Sequence, residues 1–245
     1  MGLDLSGWAV IALCAVMVGV SKTGIPGFGI LFVPLMAMVM PARQSTGALL
    51  GILILADLFS ISYYHRNALW GYIFRLIPAT LAGIVTGYFV MKFINDEQLK
   101  PIIGVIVLGM LVVNWRRNRG VVGSNSVPEQ WWFAVVMGFL AGLTTMMANA
   151  AGPVMIVYLL AMRLPKIEFV GTSAWFFFIV NWLKIPFSVQ LGLITPESIK
   201  LGFIMLPFII IGAVLGIVAL KRIPQKVFEI TIQVLAAAAA VKLLF

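Results

Sequence analysis

Two interruptions rich in glycine decide the fold, because each breaks a long apolar stretch. Residues 19–29 read GVSKTGIPGFG and lie inside the apolar stretch 6–40. Residues 142–153 read GLTTMMANAAGP and lie inside the apolar stretch 130–162. Gly and Pro interrupt helices, and interrupted backbone at membrane depth is tolerated only where it is buried in protein or lines a cavity. The sequence therefore predicts two broken helices that meet at a polar site.

The composition places the rest of the chain in a membrane. Of 245 residues, 62% are hydrophobic and 10% are charged, whereas soluble domains have about 45–50% apolar and about 25% charged residues. A transmembrane helix needs roughly 20 residues, so the length allows about eight crossings. We therefore predict an all-α polytopic membrane protein with about eight transmembrane helices. A soluble enzyme, a nucleic-acid-binding domain and a disordered chain are excluded.

The excess of basic residues fits the same class. The net charge is +9, and the densest basic group is Arg116, Arg117 and Arg119. Cytoplasmic loops of membrane proteins accumulate Lys and Arg, which also attract anionic lipid headgroups, so membrane lipids rather than nucleic acid are the expected partners. The single cysteine, Cys14, and the single histidine, His65, exclude an internal disulfide and a zinc or iron cluster. We expect no metal or other cofactor.

The second half of the chain repeats the first, as transporter folds commonly do. The repeat predicts two halves, residues 1–119 and 130–245, joined by a cytoplasmic linker at 120–129. Matching pairs occur at three spacings: Gly19/Gly142 and Gly29/Gly152 at 123 residues, Pro41/Pro165, Gly47/Gly171 and Asp57/Asn181 at 124, and Phe74/Phe203, Pro78/Pro207, Gly83/Gly212, Gly87/Gly216, Lys92/Lys221 and Ile94/Ile223 at 129.

The length of residues 6–40 predicts that the two halves are inverted. As one straight helix they would extend about 52 Å, while the apolar core of a membrane is about 30 Å thick. Two arms that enter and return as a helical hairpin fit better, although the length leaves open whether each arm is re-entrant or a full span. With a hairpin and three further crossings, each half crosses the membrane an odd number of times. The same argument applies to residues 130–162.

The distribution of loop charges supports this topology. Positive residues accumulate on the cytoplasmic side, so we expect both termini outside the inner membrane. With hairpins, ten basic residues lie on one side (Arg66, Arg75, Arg116, Arg117, Arg119, Arg163, Lys166, Lys221, Arg222 and Lys226) and five on the other (Arg43, Lys92, Lys100, Lys200 and Lys242).

The two hairpin tips have the chemistry of an anion site. The N-terminus of a broken helix presents free N–H groups and the positive end of the helix dipole, and glycine permits close approach of the backbone. The alternative is that the glycines only permit helix packing and that the lysine extends to an interface. The candidate substrate-binding residues are Ser21, Lys22, Thr23, Gly24, Gly27, Gly29, Thr144, Thr145, Asn149 and Gly152.

Three further polar residues lie inside apolar stretches. Asp57 is the only carboxylate well within a predicted span; Asn181 is its counterpart in the repeat and lies close to Lys184. A buried charge must be paired, hydrated or neutralised. We expect these residues to gate the site or couple it to a second ion. Asp57 could take up a proton or pair with Lys22 or Lys184, and the alternative is a purely structural ion pair or hydrogen bond between helices.

The sequence at the tips resembles the TauE/SafE sulfite exporter family of anion permeases. The resemblance rests on the glycine-rich break that leads into GILFVP at 29–34, on NAAGP at 149–153, on SKTGIPG at 21–27 and on GTSAW at 171–175 with Asn181. It covers both halves. It implies about eight nominal transmembrane helices from a duplicated four-helix unit, and substrates such as sulfite, sulfonates or sulfoacetate.

The expected function is that of a secondary permease or exporter for a small anion, and not that of an enzyme. The expected partners are the anion, a coupled proton and lipids, and the sequence is compatible with a homo-oligomer. A passive anion channel or a non-transporting accessory subunit would use the same architecture. No nucleotide-binding motif is present, which excludes primary pumping by this chain alone.

Overall fold

The computed structural model describes residues 4–26, 32, 35–36, 39–93, 131–228, 230–231 and 234, and the elements within these ranges are α-helices. They are α1 (Leu5–Thr23), α2 (Ala42–Tyr64), α3 (Trp70–Phe93), α4 (Trp131–Ala148), α5 (Ala151–Ala161), α6 (Lys166–Gln190), α7 (Pro196–Ile204) and α8 (Leu206–Arg222). In these ranges four helices, α1 to α4, are long and apolar enough to cross a membrane. The bent pair α7 and α8 adds a fifth crossing if it is one broken span. The predicted total of eight stays a prediction, and the linker at 120–129 lies outside the described residues.

The ends of the helices follow from local sequence. The Asp4 side chain caps α1, accepting hydrogen bonds from the Ser6 hydroxyl at 2.6 Å and the Gly7 N–H at 2.8 Å. These two bonds hold the pKa of Asp4 below its usual range. Pro41 and Pro165, which match in the repeat, precede α2 and α6 with nearly the same backbone angles. Proline restricts its own φ and suits a helix start, where its missing N–H is not needed.

The chain turns back at both glycine-rich breaks. In the second half, the ring centroids of Phe133, at the start of α4, and Tyr158, near the end of α5, lie 5.8 Å apart. In a straight helix these residues would be about 37 Å apart. In the first half, Cys14 Sγ lies 4.0 Å from the carbonyl oxygen of Phe32, so the chain returns beside α1. Each break is therefore the tip of a helical hairpin.

Glycines bring the helices into close contact in two matching pairs, α1 with α8 and α4 with α3. A Cβ added at Gly19 of α1 would overlap the carbonyl oxygen of Ile209, and one at Gly142 of α4 would overlap that of Thr80. The glycines are 123 residues apart and the carbonyls are 129 apart, the spacings found in the sequence. The reverse contacts match in the same way, Gly212 with Val16 and Gly83 with Phe139. Small residues let membrane helices approach at backbone distance.

A proline separates α7 from α8. The two helices meet at Met205 with a bend of 52°, and Pro207 follows in the first turn of α8. Proline lacks the N–H that a continuing helix needs and clashes with the carbonyl four residues earlier. Its repeat counterpart, Pro78, lies inside α3, which stays one continuous helix.

A lysine from α6 closes the other end of α8. Lys166 Nζ donates to the carbonyl oxygen of Leu220 at 2.8 Å and to that of Ile223. The last carbonyls of a helix have no partner within it, and a cation there also interacts favourably with the helix dipole. This contact anchors the start of α6 to the end of the chain's last described long helix.

Candidate functional site

A small cavity lies between the two hairpin tips and the middle of α2 and α6. Its volume is about 50 Å³. One water needs at least about 10–15 Å³ on this measure, so the cavity has room for a few waters or one small oxyanion. Its apolar wall includes Phe32, Leu53 and Phe177. The polar residues that line it are Ser21, Lys22, Thr145, Asn149, Ser173 and Asn181.

An ion pair and a hydrogen bond join α1, α2 and α6 beside this cavity. Lys22 Nζ lies 2.7 Å from Asp57 Oδ1, and Asn181 Nδ2 donates to Asp57 Oδ2 at 2.6 Å. The side chain of Asp57 is 0% exposed, and Asn181 is 1% exposed. Both carboxylate oxygens have a donor neighbour, which is the arrangement of an ionised carboxylate. Of the two partners that the sequence left open for Asp57, the structure pairs it with Lys22.

The ammonium of Lys22 faces the cavity with donors to spare. An ammonium has three N–H donors, and Asp57 is its one polar partner among the residues that the structure describes. The ring of Phe177 covers another side, with its centroid 4.3 Å from Nζ, a favourable cation–π contact. Lys22 lies in the last turn of α1, where the helix dipole favours a cation. The group can therefore donate to a ligand in the cavity without breaking a bond that the structure shows.

A second lysine lies deeper and binds the tip of the second hairpin. Lys184 is 2% exposed. Its Nζ donates to the Thr145 carbonyl at 3.2 Å, to Thr145 Oγ1 at 3.3 Å and to Asn149 Oδ1. Within the described part of the chain it has no carboxylate partner. Among the described residues, the buried charged side chains at this site are thus two lysines and one aspartate, a net charge of +1 when all are ionised.

The turn between α4 and α5 directs a helix N-terminus at the cavity. Asn149 has φ of 52°, a left-handed conformation that asparagine tolerates better than most residues, and this ends α4. Its Nδ2 donates to the Thr46 carbonyl at 3.3 Å. Gly152 and Pro153, in the first turn of α5, line the cavity, and no side chain of the described residues caps this end. Its free N–H groups and dipole favour an anion.

Two of the predicted site residues in the first hairpin contact α8 instead. Thr23 Oγ1 donates to the carbonyl oxygens of Gly19 at 3.0 Å and Ala213 at 2.8 Å. A Cβ on Gly24 would overlap the backbone of Gly216. Helix α1 continues through Thr23, so the break begins later than the sequence predicted, and these two residues do not line the cavity.

The remaining predicted residues divide in the same way. Thr144 lies within α4, and its hydroxyl donates to the Leu140 carbonyl at 2.7 Å, so it does not line the cavity. Thr145, one residue later, does. Gly27 and Gly29 lie outside the described residues.

Two residues of α6 that line the cavity, Ser173 and Phe177, were not predicted from the sequence as site residues. Ser173 and Phe177 precede Asn181 and Lys184 on α6 at spacings of four, four and three residues, which places all four on one side of a helix. That spacing was the available signal. Ser60, the repeat counterpart of Lys184 on α2, was also missed, and its hydroxyl donates to the Lys22 carbonyl at 2.6 Å.

These features define a class of protein: a multi-pass helical membrane protein whose broken helices enclose a buried polar cavity with an excess of positive charge. Membrane transporters bind their substrates at such breaks. The chain belongs to the Sulfite exporter TauE/SafE family, whose model matches residues 11–243. The resemblance found in the sequence is thereby confirmed. No curated protein and no solved structure matches the chain.

Proposed function

We propose that the chain is a secondary transporter that moves a small oxyanion, sulfite or an organosulfonate such as sulfoacetate, across the inner membrane. One observation carries this proposal. Among the described residues, Lys22 lines a cavity of oxyanion size beside a buried cluster that has one positive charge in excess, and no side chain caps the N-terminus of α5 at the same cavity. Apart from Asp57, no described residue accepts from the Lys22 ammonium, and burying unsatisfied donors is costly unless a ligand such as an anion can accept from them.

In this proposal the oxyanion accepts hydrogen bonds from both hairpins. Lys22 Nζ supplies the charge, and the first backbone N–H groups of α5, at Ala151 and Gly152, supply fixed donors. The side chains of Ser21 and Asn149 lie at the same wall and orient the remaining oxygens. Bonds to charged donors are shorter and stronger than neutral ones, so the oxygen bound to Lys22 makes the largest contribution.

We further propose that the halves 1–119 and 130–245 are inverted repeats that alternate access around this cavity. Two observations support it: residues matched in the repeat line the cavity together, and Asp57 hydrogen-bonds its own counterpart, Asn181. Transporters with inverted repeats place the substrate at the interface of the repeats. The matched lining pairs are Lys22/Thr145, Pro26/Asn149 and Leu53/Phe177.

Gating is assigned to Asp57, Asn181 and Lys184. When the oxyanion binds Lys22, it shares the ammonium with Asp57, and Lys184 holds the second tip through Asn149. Coupling to a proton on Asp57 stays a prediction. If it holds, Asp57→Asn retains anion binding but loses the acceleration of flux by a pH gradient, and unchanged pH-driven flux would remove Asp57 from the coupling step.

Flux in proteoliposomes tests the proposal. Purified protein should take up labelled sulfite saturably, and unlabelled sulfite loaded inside the vesicles should accelerate that uptake, because a carrier exchanges. Uptake at the same rate with and without unlabelled sulfite inside the vesicles would identify a passive channel. The absence of any flux above empty vesicles, for sulfite and for organosulfonates, would identify a non-transporting subunit and contradict the proposal.

A further inference from the structure

We propose that the cavity selects singly charged oxyanions, and that Asp57 is the residue that sets this selectivity. Within the proposed substrate class, this favours hydrogen sulfite and monosulfonates over the doubly charged sulfite and sulfoacetate ions. The inference rests on the proposed function, because it names the charge of the anion that the same site accepts. Three buried charges of the described residues act on a ligand in the cavity, those of Lys22, Asp57 and Lys184.

Asp57 cannot move away from the cation to admit a second negative charge. It is fully buried, does not line the cavity and is held at both oxygens, by Lys22 at 2.7 Å and by Asn181 at 2.6 Å. Its negative charge therefore stays close to the ammonium while the ligand approaches from the cavity side. The ligand meets one cation whose field the carboxylate has already reduced.

The second cation, Lys184, does not replace the positive field that Asp57 removes from Lys22. Lys184 donates its three hydrogen bonds to the end of α4 and to Asn149. The C-terminal carbonyls of a helix carry a partial negative charge that offsets the ammonium. Lys184 is therefore a positioning residue for the Asn149 turn, and its field at the cavity is weaker than that of Lys22.

The net charge of the cavity therefore does not match that of a doubly charged anion. The free energy of removing an ion from water scales with the square of its charge, so a dianion loses about four times the hydration of a monoanion of the same size. To offset this loss of hydration, the cavity offers one net positive charge and the partial positive charge at the N-terminus of α5. Replacing Asp57 by Asn raises the fixed charge from +1 to +2 and removes this mismatch.

Competition binding on the full-length purified protein tests the inference with two tetrahedral probes, methanesulfonate and sulfate. We expect the wild type to bind methanesulfonate at least tenfold more tightly than sulfate. In Asp57→Asn, the affinity for sulfate should rise at least tenfold relative to that for methanesulfonate, because the methyl contact is the same in both proteins. Asp4→Asn is the matched control: it also removes a carboxylate, but at the far end of α1, about 27 Å away along the helix, and asparagine caps a helix as well as aspartate.

The outcomes are distinguishable. If the wild type binds sulfate as tightly as methanesulfonate, or if Asp57→Asn leaves their ratio unchanged, the selectivity assigned to Asp57 is wrong while the transporter proposal stands. If the wild type binds neither probe nor sulfite, the proposed function itself fails, and this inference with it. Should Asp57→Asn not fold alone, equal binding of the two probes by the wild type still overturns the inference. The ratio is then measured in the Lys22→Gln, Asp57→Asn double variant, which retains the +1 charge of Lys184 and should keep the preference for methanesulfonate if the net charge sets it. Loss of that preference would overturn the inference as well.

Discussion

Replacing Lys22 by Gln, alone and together with Asp57→Asn, separates a binding role of this lysine from a structural one. The single variant removes the charge that faces the cavity but leaves Asp57 buried without its cation. The double variant removes both members of the ion pair and keeps two neutral, hydrogen-bonding side chains of similar size. The two variants therefore differ in stability and share the loss of the ammonium.

The expected stabilities follow from the burial of the pair. Removing one partner of a buried ion pair costs about 3–5 kcal/mol, because the remaining charge has no compensation, whereas replacing both is often nearly neutral. We expect Lys22→Gln to lower the free energy of unfolding by this amount and the double variant to recover most of it. Thermal unfolding in detergent measures both.

The expected affinities follow from the distances. With an effective dielectric constant of about 20, an anion about 4 Å from Lys22 Nζ gains about 4 kcal/mol from that charge. Asp57 lies 2.7 Å behind the ammonium, and at a total of about 6.7 Å it opposes the anion by about 2.5 kcal/mol. The double variant loses the difference, about 1.5–2 kcal/mol, which is a decrease in affinity of about 10–30-fold. The single variant loses more.

Calorimetric titration with sulfite, on the same preparations used for unfolding, completes the experiment. We predict that stability returns in the double variant while sulfite affinity does not. If affinity returns together with stability, Lys22 serves only to neutralise Asp57. The anion site would then have to be sought at the second hairpin, around Asn149.

Four further predictions concern helix packing, the turn at the second tip, a helix end and the topology. Gly83→Ala should lower stability in thermal unfolding by about 1–3 kcal/mol, because its Cβ would overlap the backbone of α4. Gly71→Ala in the same helix is the control: its Cβ would meet no atom within 4 Å, so it should be neutral or slightly stabilising. Asn149→Ala should unfold more easily than Asn149→Gly, because of these two replacements glycine accepts the left-handed φ of this position without strain. Both variants should bind sulfite more weakly by calorimetry. Lys166→Met should lose about 1–3 kcal/mol of stability with sulfite affinity unchanged, since it caps α8 away from the cavity. A reporter that is active only in the cytoplasm, fused after Phe245, should be silent, and activity would overturn the predicted topology.

Much of the fold could be predicted from the sequence, because it depends on glycines at positions where no other residue type fits. Gly19 and Gly142 matched in the repeat, and both lie where helices touch at backbone distance, which only glycine permits. The return of the chain at each break followed from length alone. The ends of α1 and α4 were predicted too early, because Ser21 to Thr23 and Thr144 to Thr145 are compatible with a last helical turn as well as with a loop.

The candidate site was accessible only in part. Burial cost singled out Lys22, Asp57 and Lys184, since an ionisable residue inside an apolar stretch needs a partner. Which lysine pairs with Asp57 depends on the distance between helices, which no local pattern contains. Thr23 and Thr144 were chosen for their hydroxyls, but a threonine in a membrane helix can equally bond the carbonyl four residues earlier, and both do. Phe177 was overlooked because an aromatic residue among apolar neighbours has no distinguishing feature in sequence.

The most direct test of the account is an experimental structure of the protein determined in saturating sulfite. We predict density for one small oxyanion in the cavity, with an oxygen about 3 Å from Lys22 Nζ and a second within hydrogen-bonding distance of the first N–H groups of α5. Density for the oxyanion at a different place, with the cavity beside Lys22 unchanged, would contradict the account.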